Sequence, residues 1–173
     1  MSRIASFHLI REHDRRQPSV LIRLATDRRP LRHIDGLLFW RLLGTGRGRA
    51  TAPGADLSRS ALFAVWRDEA ALEAFVGEHP IPHRWERAAE SWHVRLRGLA
   101  GHGTWRGFDV TEGLVEGRAD GAIAVLTRAD VRWRSWRSFA EGSRTMDRSA
   151  RNAPGMIDVV GVGEAPIGRL GTF

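Results

Sequence analysis

A chain of 173 residues with 27 basic and 20 acidic side chains, a formal net charge of +7, can bury a core in one or two domains but is too short for a large multidomain enzyme. Every basic residue is arginine, lysine, tyrosine and cysteine do not occur, and tryptophan occurs seven times. Without cysteine there is no disulfide, cysteine-ligated zinc, iron–sulfur centre or thiol nucleophile. The arginines are spread along the chain instead of clustered, so the charge reads as a base-composition bias and no nucleic-acid partner is expected.

Ile4–Ile10 reads as a first strand; it is too short for a signal-peptide core, and no apolar run approaches the ~18 residues of a membrane span. The chain is therefore read as cytoplasmic, with contact at the inner face of a membrane left open. Val20, Leu21 and Leu24 recur at helical spacing after Pro18, a residue suited to a first helical turn. Strands follow at Leu37–Leu43 and Ala61–Trp66. Asp68-Glu69 then opens a helix carrying Leu72, Phe75 and Val76, which Pro80 and Pro82 close. A short helix over His83–Glu90 leads into a strand over Ser91–Leu99, where Trp92, Val94 and Leu96 alternate with polar residues. This β-α-β-β-α-β order is the split pattern of a ferredoxin-like unit.

The pattern begins again further on. From Ile4 to Gly36 and from Ile123 to Gly155, at an offset of 119 positions, the chain reads strand, arginine-rich helix and Gly, and two strands follow each Gly. The later strands are expected at Ala122–Thr127, Met156–Val162 and Gly168–Phe173. The expected fold class is α+β: tandem ferredoxin-like units of the dimeric α+β barrel type, with the second incomplete. The boundaries are 1–110 for the first unit, 111–120 for a linker and 121–173 for the incomplete second unit. An uncovered sheet there implies a fragment, a shortened gene or a homodimer that hides the surface.

Leu62–Trp66 is apolar at every position and Leu37–Leu43 is broken only by Arg41, so both faces of these strands are expected to be buried. Either two sheets pack together or they enclose a ligand. For the second case Phe39, Trp40, Phe63 and Trp66 are the substrate-contact candidates. Gly161 and Gly163, glycines inside a strand, mark close approach of a ligand or of another backbone. Gly44–Arg49 fails the dinucleotide fingerprint because Arg49 takes the third glycine's place; Arg41 and Arg47 are candidates for binding a ligand carboxylate. The histidines show no metal-site spacing and there is no Gly-x-Ser-x-Gly elbow. Arg132-Trp133-Arg134-Ser135-Trp136-Arg137 fits a helix packed on a sheet or one lying on anionic lipid.

Six stretches, Phe39–Gly46, Ala61–Ala70, Arg84–Trp92, His102–Gly107, Ala124–Ala129 and Gly161–Pro166, together resemble the spheroidene monooxygenase family, the carotenoid ketolases of bacteria. The resemblance implies a haem-dependent, dioxygen-using monooxygenase, a lipophilic polyene substrate, and an electron donor such as reduced ferredoxin. It also implies a longer protein, with a further helix and strand after Phe173. Among two-unit haem proteins of this shape the axial histidine tends to come from the second unit; by the repeat, His83 stands in the matching place of the first unit and is the candidate haem ligand. No catalytic residue is assigned. The alternative reading is a noncatalytic ferredoxin-like module that binds an apolar ligand or partner.

Overall fold

A computed structural model describes residues 3–13, 17–46, 55–119, 121–130, 152–164 and 169–173. The first half contains β1 (Ile4–Arg11), α1 (Gln17–Thr26), α2 (Arg28–Leu31), β2 (Leu37–Gly46) and β3 (Ala55–Trp66), followed by α3 (Glu69–Glu78), α4 (Pro80–Trp85) and β4 (Glu90–Leu96). A small hairpin, β5 (Thr104–Trp105) and β6 (Phe108–Asp109), precedes β7 (Thr127–Asp130), β8 (Gly161–Glu164) and β9 (Arg169–Thr172). The main sheet has the order β4-β1-β3-β2-β8-β9-β7, every described pairing in it antiparallel. Its first four strands have ferredoxin-like order. The last three repeat the β2-β3-β1 part of that order and join through β2 and β8, so the expected α+β class of tandem ferredoxin-like units holds.

Strand parity explains how one sheet serves two cores. Ile4, Leu62, Ala64 and Trp66 face α3 and α4, packing with Leu72, Phe75 and Ile81. Phe7, Phe39 and Ala61 point the other way, where Val162, Leu126, Val160 and Phe173 from the second group of strands cover them. Phe173 lies flat on Phe7, ring centroids 4.0 Å apart. The apolar strands are therefore buried on both faces by packing, as their composition requires.

Local chemistry sets the helix ends. Asp68 accepts the backbone N–H of Ala71 at 2.9 Å and starts α3. His79 ends α3 and caps α4, its Nδ1 accepting the N–H of Ile81 at 3.2 Å. This corrects the expected helix over His83–Glu90: Pro80 occupies the first helical position, where its missing N–H costs nothing, so the proline opens α4 instead of blocking it.

The repeated glycine is real in conformation. Gly36 and Gly155 both adopt the left-handed region, at φ 73° and 83°. A side chain at Gly36 would also meet the Ala71 Cβ at 2.5 Å. The strands after the second glycine differ from expectation. Regular strand begins at Gly161, not Met156, and β7 begins at Thr127, not Ala122. β7 lies within the reach of β9, its partner from Thr127↔Thr172 to Asp130↔Arg169. Upstream, Ile123, Val125 and Ile157 are 72%, 65% and 86% exposed, with no described sheet to cover them. The Arg132–Arg137 stretch lies outside the described residues. Among the described residues no helix is long and apolar enough to cross a membrane.

Candidate functional site

The site grows from the β5–β6 hairpin. Its two-residue turn is Arg106-Gly107, with φ 51° and 83°. Two successive positive φ values suit the right-handed twist of the flanking strands, and Asn-Gly is the sequence that adopts them most easily. Arginine at the first of these positions is strained by about 1–2 kcal/mol. In this conformation Arg106 Nε donates to Glu164 Oε2 at 2.9 Å, and the preceding residue, Trp105, donates its indole N–H to Glu164 Oε1 at 2.6 Å.

Glu164 ends β8 and is the meeting point of four elements. Besides Trp105 and Arg106, Arg41 of β2 lies 3.8 Å from its carboxylate and Arg128 of β7 lies 3.9 Å away. Its side chain is only 8% exposed. Burial pushes the Glu164 carboxyl up, but the hydrogen bonds from Trp105 and Arg106 and the charges of Arg106 and Arg41 outweigh it and hold the group below its ordinary value. An ionised carboxylate so held does not exchange protons near neutrality; it is a positioning group that clasps the hairpin to both groups of strands.

Trp105 links this polar clasp to the apolar layer. Its ring is stacked with Phe63 at 5.4 Å and tilted against Phe39 at 5.3 Å, while Phe39 stacks on Phe108 at 4.6 Å. The Arg41 guanidinium lies 4.3 Å from the Phe39 ring centre, a cation–π contact that also keeps it near Glu164. Between Trp105, Leu43, Leu126 and Val162 there is an apolar crevice of about 10 Å³, room for one water. On the outer side of the clasp a cleft of about 400 Å³ opens along β2 between Trp40, Arg41 and Leu42, with Arg28, Arg32 and Arg106 around it.

The expected residues separate. Phe39 and Phe63 meet in the aromatic layer, ring centroids 6.4 Å apart. Trp40 and Trp66 pack with the helix-side core, because residues one or three apart on a strand point to opposite faces; the four candidates do not line one pocket. Arg41 joins the Glu164 clasp, and Arg47 lies outside the described residues. Gly163 pairs with Gly44 across the β2–β8 seam and Gly161 with Thr172, so in this structure another backbone approaches them. His83 is half-exposed on α4, its ring nitrogen 3.4 Å from Glu86. None of the seven histidines borders the crevice or the cleft, so these residues do not fit an axial haem ligand at the site, and no chemical step is derived through a haem. No described group of three or more metal-ligating side chains occurs.

Sequence reading missed Trp105, Arg106, Arg128 and Glu164 as site residues. The signal available was Arg106-Gly107, a turn dipeptide directly after an aromatic residue. It also missed a polar chain within the helix-side core. His8 Nδ1 lies 2.9 Å from His93 Nδ1, His8 Nε2 lies 2.9 Å from Ser6 Oγ, and Trp66 donates its indole N–H to that same Oγ at 2.8 Å. Neutral His8 carries its one ring proton on either nitrogen, so it donates to one of these neighbours and accepts from the other. Burial, followed by the nearby His93, lowers the His8 pKa to about 3.

The fold and the clasp define an α+β protein of tandem ferredoxin-like units whose strands join in one sheet with an aromatic layer on one face. No family-wide sequence profile matches the chain. Among characterised proteins it is similar to the spheroidene monooxygenase of Cereibacter sphaeroides, with 30% identity over 156 residues, 89% of this chain and 48% of that one. The spheroidene monooxygenase of Rubrivivax gelatinosus is 33% identical over 139 residues, 80% of this chain and 54% of that one. That of Rhodobacter capsulatus is 27% identical over 159 residues, 90% of this chain and 66% of that one. All three of these similar proteins are spheroidene monooxygenases, and the chain spans about half to two thirds of their length.

Solved structures similar to it include a Pseudomonas aeruginosa protein, at 21% identity and TM-score 0.43, covering 58% of this chain and 97% of that one. SnoaB, a cofactor-independent oxygenase from Streptomyces nogalater, is similar at 17% identity and TM-score 0.40, covering 58% and 97%. These likenesses are too distant to bear on function.

Proposed function

We propose that this chain is the oxygenating core of a carotenoid-type monooxygenase, which inserts one oxygen atom of dioxygen into a lipophilic polyene near the aromatic layer. One atom enters the substrate and the other leaves as water, so an external donor must supply two electrons and two protons. The observation that supports the reading is convergence. Five of the six stretches that carry the family resemblance contribute to one place: Phe39 and Arg41, Phe63, Trp105 and Arg106, Leu126 and Arg128, and Val162 and Glu164. Residues scattered over more than a hundred positions meet around Trp105 and Glu164.

In this proposal Phe39, Phe63, Trp105 and Phe108 supply flat apolar surface for a conjugated chain, and the layer excludes water from it. The Glu164 clasp fixes Trp105. Since the crevice there has room for one water, the substrate enters by parting the layer, and the energy of stacking is exchanged for contacts with the polyene. Haem and an electron-transfer partner enter through the family resemblance and not through a contact of this chain; His83 is not given the axial position. The test is titration of the purified protein with an acyclic carotenoid in detergent. Quenching of tryptophan emission that saturates, and that weakens several-fold in Trp105→Phe, is expected. A titration curve identical in the variant, or no saturable quenching in the wild type, refutes the proposed location.

A further inference from the structure

We propose that the cleft along the outer edge of β2 binds a phosphate ester, its phosphate held by guanidinium groups from three elements; the inference does not depend on the oxygenation reading. The strand pattern makes the cleft. β2 pairs with β8 only at Gly44↔Gly163 and Thr45↔Val162, so the two strands part along Trp40–Leu42 and leave a wedge of about 400 Å³. Arg28 and Arg32 reach it from α2 and the residue after it, Arg41 from β2, and Arg106 from the hairpin turn.

Among the described residues four guanidinium groups and one carboxylate, Glu164, line the cleft; Arg41 and Arg106 lie against that carboxylate, whereas Arg28 and Arg32 do not. Arg28 spends its Nε–H on the Leu24 carbonyl at 3.0 Å, and neither Arg28 nor Arg32 forms an ion pair with a described carboxylate. Like charges gathered on the walls of a recess repel one another and focus a positive potential into it, which an anion relieves. Arg106 reinforces this, since it holds its strained φ of 51° while its side chain turns toward the same recess.

The chemistry of the lining favours one anion. A carboxylate is planar and is satisfied by one bidentate arginine, whereas a tetrahedral phosphate accepts hydrogen bonds from several directions and carries more charge. The volume is that of a small-molecule site, well beyond a bare phosphate, and the half-buried Trp40 and Leu42 offer apolar surface to the organic part of an ester.

A soluble phosphate compound and a lipid headgroup present the same chemistry, so the test has two arms. Wild type and the Arg28→Gln/Arg32→Gln double variant are melted with inorganic pyrophosphate against sodium chloride of equal ionic strength. Both are also co-sedimented with phosphatidylcholine vesicles with and without phosphatidate. Both side chains are exposed, so the variant is expected to fold with an unchanged Tm in salt alone. The proposal predicts either a rise of roughly 5 °C in wild-type Tm at about a hundredfold excess over Kd, or phosphatidate-dependent sedimentation. Either response weakens by about tenfold in apparent affinity in the double variant. A double variant that responds as strongly as wild type, or a wild type that responds in neither arm, overturns it.

Discussion

Acidification should destabilise this protein through one buried side chain. His8 is 3% exposed, lies 4.8 Å from the Trp85 ring, and is held between Ser6 and His93. Burial lowers its pKa from 6.5 to about 3 and His93 adds to the shift, so the native protein keeps His8 neutral where the unfolded chain takes up a proton. A depressed histidine pKa means that stability is intact above the unfolded value and is lost as the pH falls toward the folded one. The slope is about 1.4 kcal/mol per pH unit between those values, which gives a loss of about 2 kcal/mol from pH 7 to pH 5. For a chain of this size that is roughly 4–8 °C in Tm. His93, lowered by burial, and His79, lowered chiefly by burial and by Arg84, add to the same trend. Thermal and urea melts followed by tryptophan emission at pH 7, 6 and 5 measure the total, and His8→Gln isolates the His8 part. The variant is less stable at pH 7, yet its loss between pH 7 and pH 5 should be smaller by about 2 kcal/mol. Equal losses in wild type and variant would refute the reasoning.

The clasp and the seams yield further expectations. Glu164→Gln keeps the shape but removes the charge that Arg41, Arg106 and Arg128 share; since those arginines are partly solvated, the cost should be about 1–3 kcal/mol by urea melt. Trp105→Phe keeps the ring stack and loses the 2.6 Å bond to Glu164, for about 1–2 kcal/mol by the same measurement. Arg106→Asn relieves the left-handed strain while Arg106→Ala does not, so the asparagine variant should be the more stable of the two by about 1 kcal/mol although both lose the ion pair. Gly171→Ala places a Cβ 2.4 Å from the Thr127 carbonyl oxygen, and hydrogen exchange of the Thr127–Asp130 amides should accelerate while that of β1 and β3 does not.

The first βαββαβ run was legible because its signals are local: the apolar strands, the Asp68 cap and the Gly36 turn each lie within a few residues of what they control. Proline was misread at Pro80, where the residue that breaks a helix interior also suits a first turn. The later strands were displaced by several residues because Ile123 and Ile157 carry a strand's composition without a partner strand among the described residues. Pairing is non-local, and composition does not report register. The aromatic candidates show the same limit. Phe39 and Phe63 share one aromatic layer, but Trp40 and Trp66 were grouped with them although strand parity turns them to the other core. Glu164 was invisible because its burial depends on β2, β7 and the hairpin arriving together. His8 and His93 become neighbours only through the β1–β4 pairing.

Oxygenation of a polyene at the Trp105 layer is read from the pigments of bacterial cells that make an acyclic carotenoid and express this chain together with an electron-donor protein. Oxidised carotenoid is expected in aerated cells, none without dioxygen, and a several-fold fall with Trp105→Ala at equal protein level. Unchanged pigment in aerated cells that accumulate the folded protein would contradict it and leave a module that binds an apolar ligand without turning it over.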